Sequence, residues 1–145
     1  MTAAPRTVAF CLNPAPVIAL NELMRLHHRA YQAYVKDMAG QVWAALAAQG
    51  IRTRTPGWEP LRYVEVRVVL RTRRLLDADN KYAACKVFLD VLKLAHPKNN
   101  PHGLGVIVDD SDGDHSNPGF IRLLEVRQVR GPVPGLFVEI LEVGK

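Results

Sequence analysis

Cysteine is scarce in this sequence, because only Cys11 and Cys85 occur among its 145 residues. Two cysteines cannot supply the dense disulfide framework of small secreted domains. Each lies in an apolar segment, so we predict two small core residues in a reducing compartment. A chain of this length buries roughly 68–70% of the surface that it exposes when unfolded, which is enough to fold without a covalent staple. We therefore expect a single domain over residues 1–145.

Long hydrophobic runs and a leader-like N-terminus are also missing. No apolar run approaches the roughly 20 residues of a membrane span. The first residues lack a charged region followed by an apolar core, so we predict no secretory signal. The hydrophobic fraction of 48% and the charged fraction of 23% are ordinary for globular proteins, which excludes disordered and fibrous classes. These features predict a cytoplasmic protein with no membrane partner.

The common cofactor and nucleophile motifs are absent as well. The sequence contains no P-loop, no dinucleotide-binding glycine pattern and no cysteine or histidine pair spaced for zinc. No serine or cysteine has an obvious partner for nucleophilic catalysis. Three histidines in predicted loops leave two interpretations open, a proton shuttle or ordinary solvated residues: His96, His102 and His115.

Charges of both signs are present, but they are unevenly placed. Lys and Arg number 19 and Asp and Glu number 14, which gives a net charge of +5. Seven arginines lie within residues 52–74, whereas seven of the eight aspartates lie within residues 77–114. The positive excess suggests a polyanionic partner, and the neighbouring carboxylates suggest a bound divalent cation such as Mg²⁺. On charge alone, a solvated acidic loop beside a basic strand explains the same pattern.

The periodicity of the apolar residues predicts the element order β-α-β-α-β-β-β. The predicted strands and helices span about 8–12, 22–49, 63–73, 80–94, 106–108, 121–130 and 136–143. Gly50 is expected to end the first helix, and the last two strands are expected to pair locally as a hairpin or meander. The pattern predicts an α+β sandwich, with helices on one face of a mixed or antiparallel sheet.

An acidic tetrapeptide, Asp77-Ala78-Asp79-Asn80, stands where the strand at 63–73 gives way to the second helix. Two carboxylates at such a junction can aim at one ion beside the free amides of the helix N-terminus. The simpler explanation is that Asp77 or Asp79 only caps the helix and complements its dipole.

Lys86 and Asp90 share a helix face with Asp79, because helical positions separated by seven and eleven residues lie on one side. Helical side chains lean toward the N-terminus, so the Lys86 ammonium can approach the aspartates and bind a scissile phosphate or stabilise a leaving oxygen. An ordinary Lys86–Asp90 surface pair, worth about 0.3–0.5 kcal/mol, is the alternative. Asp90 lies about 16 Å along the axis from Asp79, too far to bind the same ion.

Asp109 and Asp110 follow the short predicted strand at 106–108. A strand end beside a helix start can complete a three-carboxylate site, of the kind that activates water and stabilises the charge of phosphodiester cleavage. An EF-hand starting at Asp110 is excluded, because His115 stands in place of the glycine and Ile121 in place of the last glutamate.

Taken in order, Asp77-Ala-Asp-Asn80, Lys86, Asp90-Val-Leu and Asp109-Asp110 resemble the motif of the RusA family of Holliday-junction resolvases, especially its phage-type members. The stretch at 19–27 is also similar to the one that opens the first helix in those relatives. The likeness covers about residues 8–130.

The resemblance implies a small α+β homodimer that cuts four-way DNA junctions in recombination and repair, with Mg²⁺ as cofactor and Mn²⁺ as an alternative ion. It implies that Asp77, Asp79 and Asp110 bind the metal and, with Lys86, carry catalysis. Supporting roles fall to Asn80, Asp90 and Asp109. Beside this site, we expect four arginines of the basic strand and its end to hold the DNA backbone: Arg67, Arg71, Arg73 and Arg74.

A homodimer is also expected from the substrate, since paired incisions need two sites and one chain offers one. Trp43 and Trp58 are candidate interface residues, although Trp43 on the long helix is expected to pack in its own core. Three other functions stay open: a nuclease for other branched or flapped DNA, a non-catalytic basic DNA-binding module, and a phage assembly or regulatory protein without a nucleic-acid role.

Overall fold

The computed structural model of the chain describes residues 4–15, 25–110 and 119–144. In chain order the elements are β1 (Thr7–Leu12), α1 (His28–Ala47), β2 (Tyr63–Thr72), α2 (Ala78–Leu92), β3 (Phe120–Arg130) and β4 (Gly135–Glu142). Neither helix is both long and apolar enough to cross a membrane. The predicted α+β class is confirmed. The predicted start of the first helix near residue 22 lies outside the described residues, but the prediction of one continuous helix up to residue 49 is wrong, because His27 is extended and caps α1 at its start.

The four strands form one mixed sheet in the order β1-β4-β2-β3. β2 runs parallel to β3 and antiparallel to β4, and β4 is antiparallel to β1. The predicted hairpin between the last two strands is therefore wrong, because β2 lies between them. The connection from β3 to β4 crosses the end of β2, where the Gly131 N–H donates to the Thr72 carbonyl at 3.0 Å.

The predicted strand at 106–108 is reduced to an isolated parallel bridge between Leu61 and Ile107. On one side, the Leu61 N–H donates to the Val106 carbonyl at 2.9 Å. On the other, the Ile107 N–H donates to the Leu92 carbonyl at the end of α2, at 3.0 Å. The segment's hydrogen bonds are thus divided between the sheet margin and a helix end, which anchors the acids that follow it.

The core lies between the helices and one face of the sheet. Alternate strand residues are buried on that face, among them Val66 and Val68 of β2. Met38 and Val42 of α1 and Phe88 of α2 belong to the same buried cluster. Burying a side chain such as Phe88 stabilises the fold by about 1.5–3 kcal/mol relative to leaving it exposed, so both helices are fixed on one side of the sheet.

Neither α1 nor α2 packs on the other face of the sheet, called the uncovered face below, and this corrects one sequence prediction. Cys11 is exposed there because it falls on the outward set of the β1 alternation. Cys85, in contrast, is buried in α2 as expected, and burial raises the pKa of its thiol to about 12 even though nearby Lys81 acts in the opposite direction. Cys85 is therefore an inert core residue, whereas Cys11 is not part of the core.

Local signals fix the helix ends. Asp77 caps α2, since its Oδ1 accepts from the Asn80 N–H at 2.9 Å. The Asn100 side chain donates to the Asp90 carbonyl at 2.7 Å and to the Leu94 carbonyl at 3.0 Å, which satisfies the carbonyls at the other end of α2. Beyond α1, Gly50 has a φ of 81°, the left-handed conformation expected of a glycine that ends a helix.

Candidate active site on helix α2

The first turn of α2 presents two carboxylates to solvent. Asp77 and Asp79 are both exposed, and the Asp77 carboxylate serves as the N-cap. The capping interpretation is therefore confirmed for Asp77. Asp79 lies in the first turn without a hydrogen bond or ion pair among the described residues. This carboxylate is consequently available to a ligand, beside the unbonded amides of a helix N-terminus.

Two turns along the same helix, four charged side chains form a closed network. The Lys86 ammonium lies 3.1 Å from Asp90 Oδ1 and 3.5 Å from Asp110 Oδ2. The Lys93 ammonium lies 3.1 Å from Asp90 Oδ1 and 3.2 Å from Asp110 Oδ1. The expected Lys86–Asp90 pair is thus present, and Lys86 also reaches Asp110, which joins the two acidic segments of the sequence.

Lys93 is the member of this network that the sequence analysis missed. It lies seven residues after Lys86 and fourteen after Asp79, on the helix face that carries both. Adding seven residues to position 86, as position 86 follows from 79, would have identified Lys93. Its side chain is only 23% exposed, compared with 60% for Lys86, so Lys93 is the more enclosed of the two cations that hold Asp110.

The network shifts the pKa of three of its members, Asp110, Lys86 and Lys93. Partial burial alone would raise the pKa of Asp110, but the charges of Lys93 and Lys86 outweigh it and hold that pKa below its ordinary value. Burial alone would lower the pKa of Lys86 and Lys93, and their contacts with Asp90 and Asp110 raise both instead. Asp110, Lys86 and Lys93 are therefore held in their charged forms near neutral pH.

The fold places Asp110 by anchoring the segment before it to the end of α2. The Leu104 N–H donates to the Val91 carbonyl at 2.7 Å, and the Ile107 N–H donates to the next carbonyl of the helix, that of Leu92. Asp109 turns back on its own segment, since its Oδ1 accepts from the Asp110 N–H at 2.8 Å. Of the two adjacent acids, Asp110 is the one that contacts Lys86 and Lys93.

The three acids expected to bind Mg²⁺ do not gather into one site. Within the described ranges, no three side chains of His, Cys, Asp or Glu lie together as a metal would require. Asp77 and Asp79 stand at the start of α2, whereas both oxygens of Asp110 contact ammonium groups farther along it. Asp112, Asp114 and His115 lie outside the described residues. As arranged, the expected ligand set does not fit a metal ion.

Three of the four arginines expected at DNA form bonds within the protein, and two of these, Arg67 and Arg71, have two partners each. Arg67 lies on the uncovered sheet face, 3.5 Å from a carboxylate oxygen of Glu139 and 4.0 Å from one of Glu65. Arg71 donates from Nε to the Val133 carbonyl at 2.7 Å, which holds the crossing connection over β2, and from Nη2 to Asn13 Oδ1. Their charges are therefore used in the sheet and its connection.

Arg73 and Arg74 remain exposed directly before the acids of α2. Arg73 donates from Nε to the Pro132 carbonyl at 2.8 Å. Arg130, which the sequence analysis missed, joins them because β2 and β3 are parallel and Arg130 pairs with Thr72 at their common end. These three arginines, Arg73, Arg74 and Arg130, are called the basic edge below.

The basic edge is tied to α2 by one side chain of β3. Gln128 accepts from the Leu76 N–H at 2.7 Å and donates to the Leu76 carbonyl at 2.8 Å. These two hydrogen bonds fix the short segment between β2 and α2 against the sheet. The separation between the arginines and the first acids of α2 is thereby held constant.

The loop histidines differ in their surroundings. His96 Nδ1 accepts from the Lys98 and Asn99 N–H groups at 3.2 and 3.1 Å, so it shapes a turn. His102 lines a small cleft with Asp90 between the helices and the loop that follows α2. His115 lies outside the described residues. Of the described histidines, His102 is the one placed beside a network residue.

Comparisons with known proteins do not place the chain in a family. No protein-family model matches the sequence, and no curated protein matches it either. The RusA likeness therefore stays a prediction carried by the motif residues.

Proposed function

We propose that this chain is a structure-selective endonuclease that hydrolyses phosphodiester bonds of branched DNA, with the four-way junction as its substrate in recombination and repair. The supporting observation is the contact of Lys86 with Asp110, which brings the two halves of the RusA-like motif to one helix face. We propose a cytoplasmic location for the protein. Its likeness to phage-type RusA proteins agrees with a phage or prophage origin.

DNA binding follows from the basic edge in this proposal. Arg73, Arg74 and Arg130 lie at the common end of two parallel strands, next to the carboxylates of α2. Phosphate groups bound by these cations would pass the exposed Asp79 at the helix start. Arg67 and Arg71 take no part, because each has two partners within the sheet or its connection, whereas Arg73 has a single bond, to the Pro132 carbonyl.

The cofactor in this proposal is Mg²⁺, with Mn²⁺ as the alternative, and it rests on the resemblance and on the chemistry of carboxylate oxygens. The protein's own groups supply positioning: Asp77 caps α2, Lys93 and Lys86 hold Asp110, and Gln128 fixes the segment between arginines and acids.

A second candidate is a non-catalytic DNA-binding module. It is favoured by one observation, the neutral network in which Asp90 and Asp110 are each bonded to two lysines. Acids compensated in this way stabilise a fold without binding metal. The basic edge would then bind branched DNA with no chemistry to follow.

The experiment that separates these candidates uses a synthetic four-way junction, a flap and a plain duplex, each incubated with Mg²⁺ or with chelator. We expect paired nicks in the junction with Mg²⁺ and none with chelator. Tight junction binding without cutting would establish the non-catalytic module instead. Equal cutting of the flap would leave a nuclease of broader substrate range, and absence of binding at low salt would overturn both DNA-based functions.

A further inference from the structure

The outer edge of β3 has no partner in the described structure. The strand order leaves β3 paired with β2 alone. Gly131 donates its N–H to Thr72 of β2, so the odd-numbered residues before it turn their backbone groups toward β2. The N–H and C=O groups of Leu124, Val126 and Gln128 point away, and within the described ranges no backbone hydrogen bond reaches them. Such an edge is a template for another strand.

The side chains on the uncovered face of β3 are arranged symmetrically about Val126, with an apolar residue at each end and opposite charges on the two sides of the centre. In chain order they are Leu123, Glu125, Arg127 and Val129, that is, apolar, negative, positive and apolar. Leu123 is 44% exposed and Val129 46% exposed, so both apolar side chains are accessible to a partner strand. Neither Glu125 nor Arg127 forms an ion pair with any described side chain.

This pattern selects one antiparallel register of β3 against a second copy of itself. Centring the pairing on Glu125 or on Arg127 would place identical charges directly opposite, which destabilises a sheet. Centring it on Val126 places each Glu125 opposite Arg127 of the other copy, and each Leu123 opposite Val129. The outward backbone groups of Val126 then form a hydrogen-bonded pair, so the charged residues occupy the adjacent positions where side chains approach most closely.

The same register brings Arg122 opposite Arg130, and this contact is already partly compensated. Arg122 lies at the bulge that separates the first two pairs of β3 from the rest of its ladder. It is bonded to the Glu65 carboxylate of its own chain. The regular part of the strand, from Leu123 to Val129, is therefore the segment that would pair.

We propose that two copies of this chain associate by antiparallel pairing of β3, about a two-fold axis at Val126, into one continuous eight-stranded sheet. The inference deepens the proposed function and rests on the homodimer that paired incision requires. Because the axis is perpendicular to the sheet, the helices of both copies lie on the same face. α2 is the helix packed beside β3, so the two acid-bearing helices flank the axis.

The uncovered face is better suited to protein than to nucleic acid. Its ladder positions carry both signs in equal number: Glu65, Glu125, Glu139, Arg67, Arg71 and Arg127. A polyanion gains little from such a balanced surface. The rival dimer surface is the outer side of α1, where Trp43 is 41% exposed, against the prediction that it packs in its own core. Trp58 is held by its Nε1–H bond to the Gly105 carbonyl at 2.8 Å.

Charge reversal tests the register. Light scattering and sedimentation of the full chain at micromolar concentration should give a dimer. Glu125→Arg or Arg127→Glu alone should raise the dissociation constant of this dimer roughly tenfold or more. Each variant creates two pairs of like charges between residues 125 and 127 of the two copies. The double variant Glu125→Arg with Arg127→Glu should restore the wild-type constant. Glu139→Arg is the matched control on β4, at the same ladder level as Glu125 but away from the edge, and it should leave the dimer unchanged.

Amide exchange tests the main-chain pairing without any substitution. The Leu124, Val126 and Gln128 amides should be protected above the dimer dissociation constant and exchange rapidly below it. The Glu125 and Arg127 amides, which face β2, should be protected at both concentrations. Fast exchange of the outward amides in a dimeric sample would overturn edge pairing.

The remaining outcomes separate this inference from the proposed function. A wild-type monomer at micromolar concentration that still nicks DNA would overturn the dimer and leave the nuclease standing. Loss of the dimer in Glu139→Arg would indicate that two sheets pack face to face. A dimer that persists in Glu125→Arg and in Arg127→Glu but is lost in Trp43→Ala would place the interface on α1. Either result overturns the β3 interface. A dimer that behaves as expected and cuts no DNA would overturn the nuclease alone.

Discussion

The two halves of helix α2 bear acids in opposite electrostatic conditions. At its start, Asp79 is exposed and without a described partner, and Asp77 bonds only to the backbone of its own turn. Two turns later, Asp90 and Asp110 are each held by two lysines. The difference indicates that the first half is available to a ligand, whereas the second half stabilises the junction between the helix and the segment ending at Asp110.

The basic residues divide in the same way. Arg67 and Arg71 on β2 each have two partners within the protein. Arg73 and Arg74 are exposed just past the strand end, and the bond of Arg73 to the Pro132 carbonyl is the one side-chain bond that they form among the described residues. Exposed acids and exposed arginines thus meet at one end of α2. If this comparison is right, substitutions at the two ends should give different kinds of defect, catalysis and binding at the start and stability along the network.

The largest effect is expected at the helix start. Asp79→Asn and Asp77→Asn should each lower junction cleavage roughly 100-fold or more, since each removes a charge proposed to hold the reactive centre. Both should keep the melting temperature, because asparagine caps a helix about as well as aspartate. Asp77→Ala is the control, as it loses the cap as well and should cost about 0.5–2 kcal/mol of stability. Near wild-type rates in both asparagine variants would contradict a catalytic role for this end.

A smaller effect is expected from the arginines, in DNA binding. Arg73→Ala combined with Arg74→Ala should weaken junction affinity and reduce the slope of log affinity against log salt, by roughly 0.9 for each phosphate group that the variant no longer binds. Arg67→Ala is the matched control on the same strand and should leave that slope unchanged. Equal slopes for the two variants, measured by fluorescence anisotropy over a salt series, would remove the basic edge from the DNA interface.

The network is expected to give a coupling energy rather than a catalytic loss of its own. In a double-mutant cycle, Lys93→Met and Asp110→Asn should be coupled by about 0.5–1 kcal/mol in free energy of unfolding, since the pair is partly buried. Lys36→Met, on the exposed side of α1, combined with Asp110→Asn should show no coupling. Strict additivity of Lys93 and Asp110 in urea unfolding would show that their contact does not stabilise the fold.

What could be predicted from the sequence was local. Alternation of valines gave the buried face of β2, and Asp77 marked the start of α2, because both depend on neighbouring residues. Pairing of β3 with β2 could not be predicted in this way. A four-residue connection normally joins adjacent antiparallel strands, and here it crosses the end of β2 because Thr72 and Arg71 bond to it.

The site was predicted in part for the same reason. Helical spacing placed Lys86 and Asp90 on one face, and that contact is present. Whether Asp110 joins Asp77 and Asp79 or the lysines depends on where the segment before it is anchored, which periodicity does not encode. The bonds to the Val91 and Leu92 carbonyls place it with the lysines.

The smallest effect is expected in the pH dependence of stability. The pKa of Asp110 is lowered in the folded state, so its contribution is present above the ordinary aspartate pKa of 3.8 and is lost as pH falls through the lower folded value. The pKa of Lys86 and of Lys93 is raised, so their contribution is present below 10.5 and is lost as pH rises through the higher folded values. The network should therefore stabilise the fold across the range between these limits. Asp110→Asn should flatten the acid limb of the melting-temperature profile. Identical acid limbs in wild type and Asp110→Asn would show that the network does not stabilise the fold through the Asp110 carboxylate.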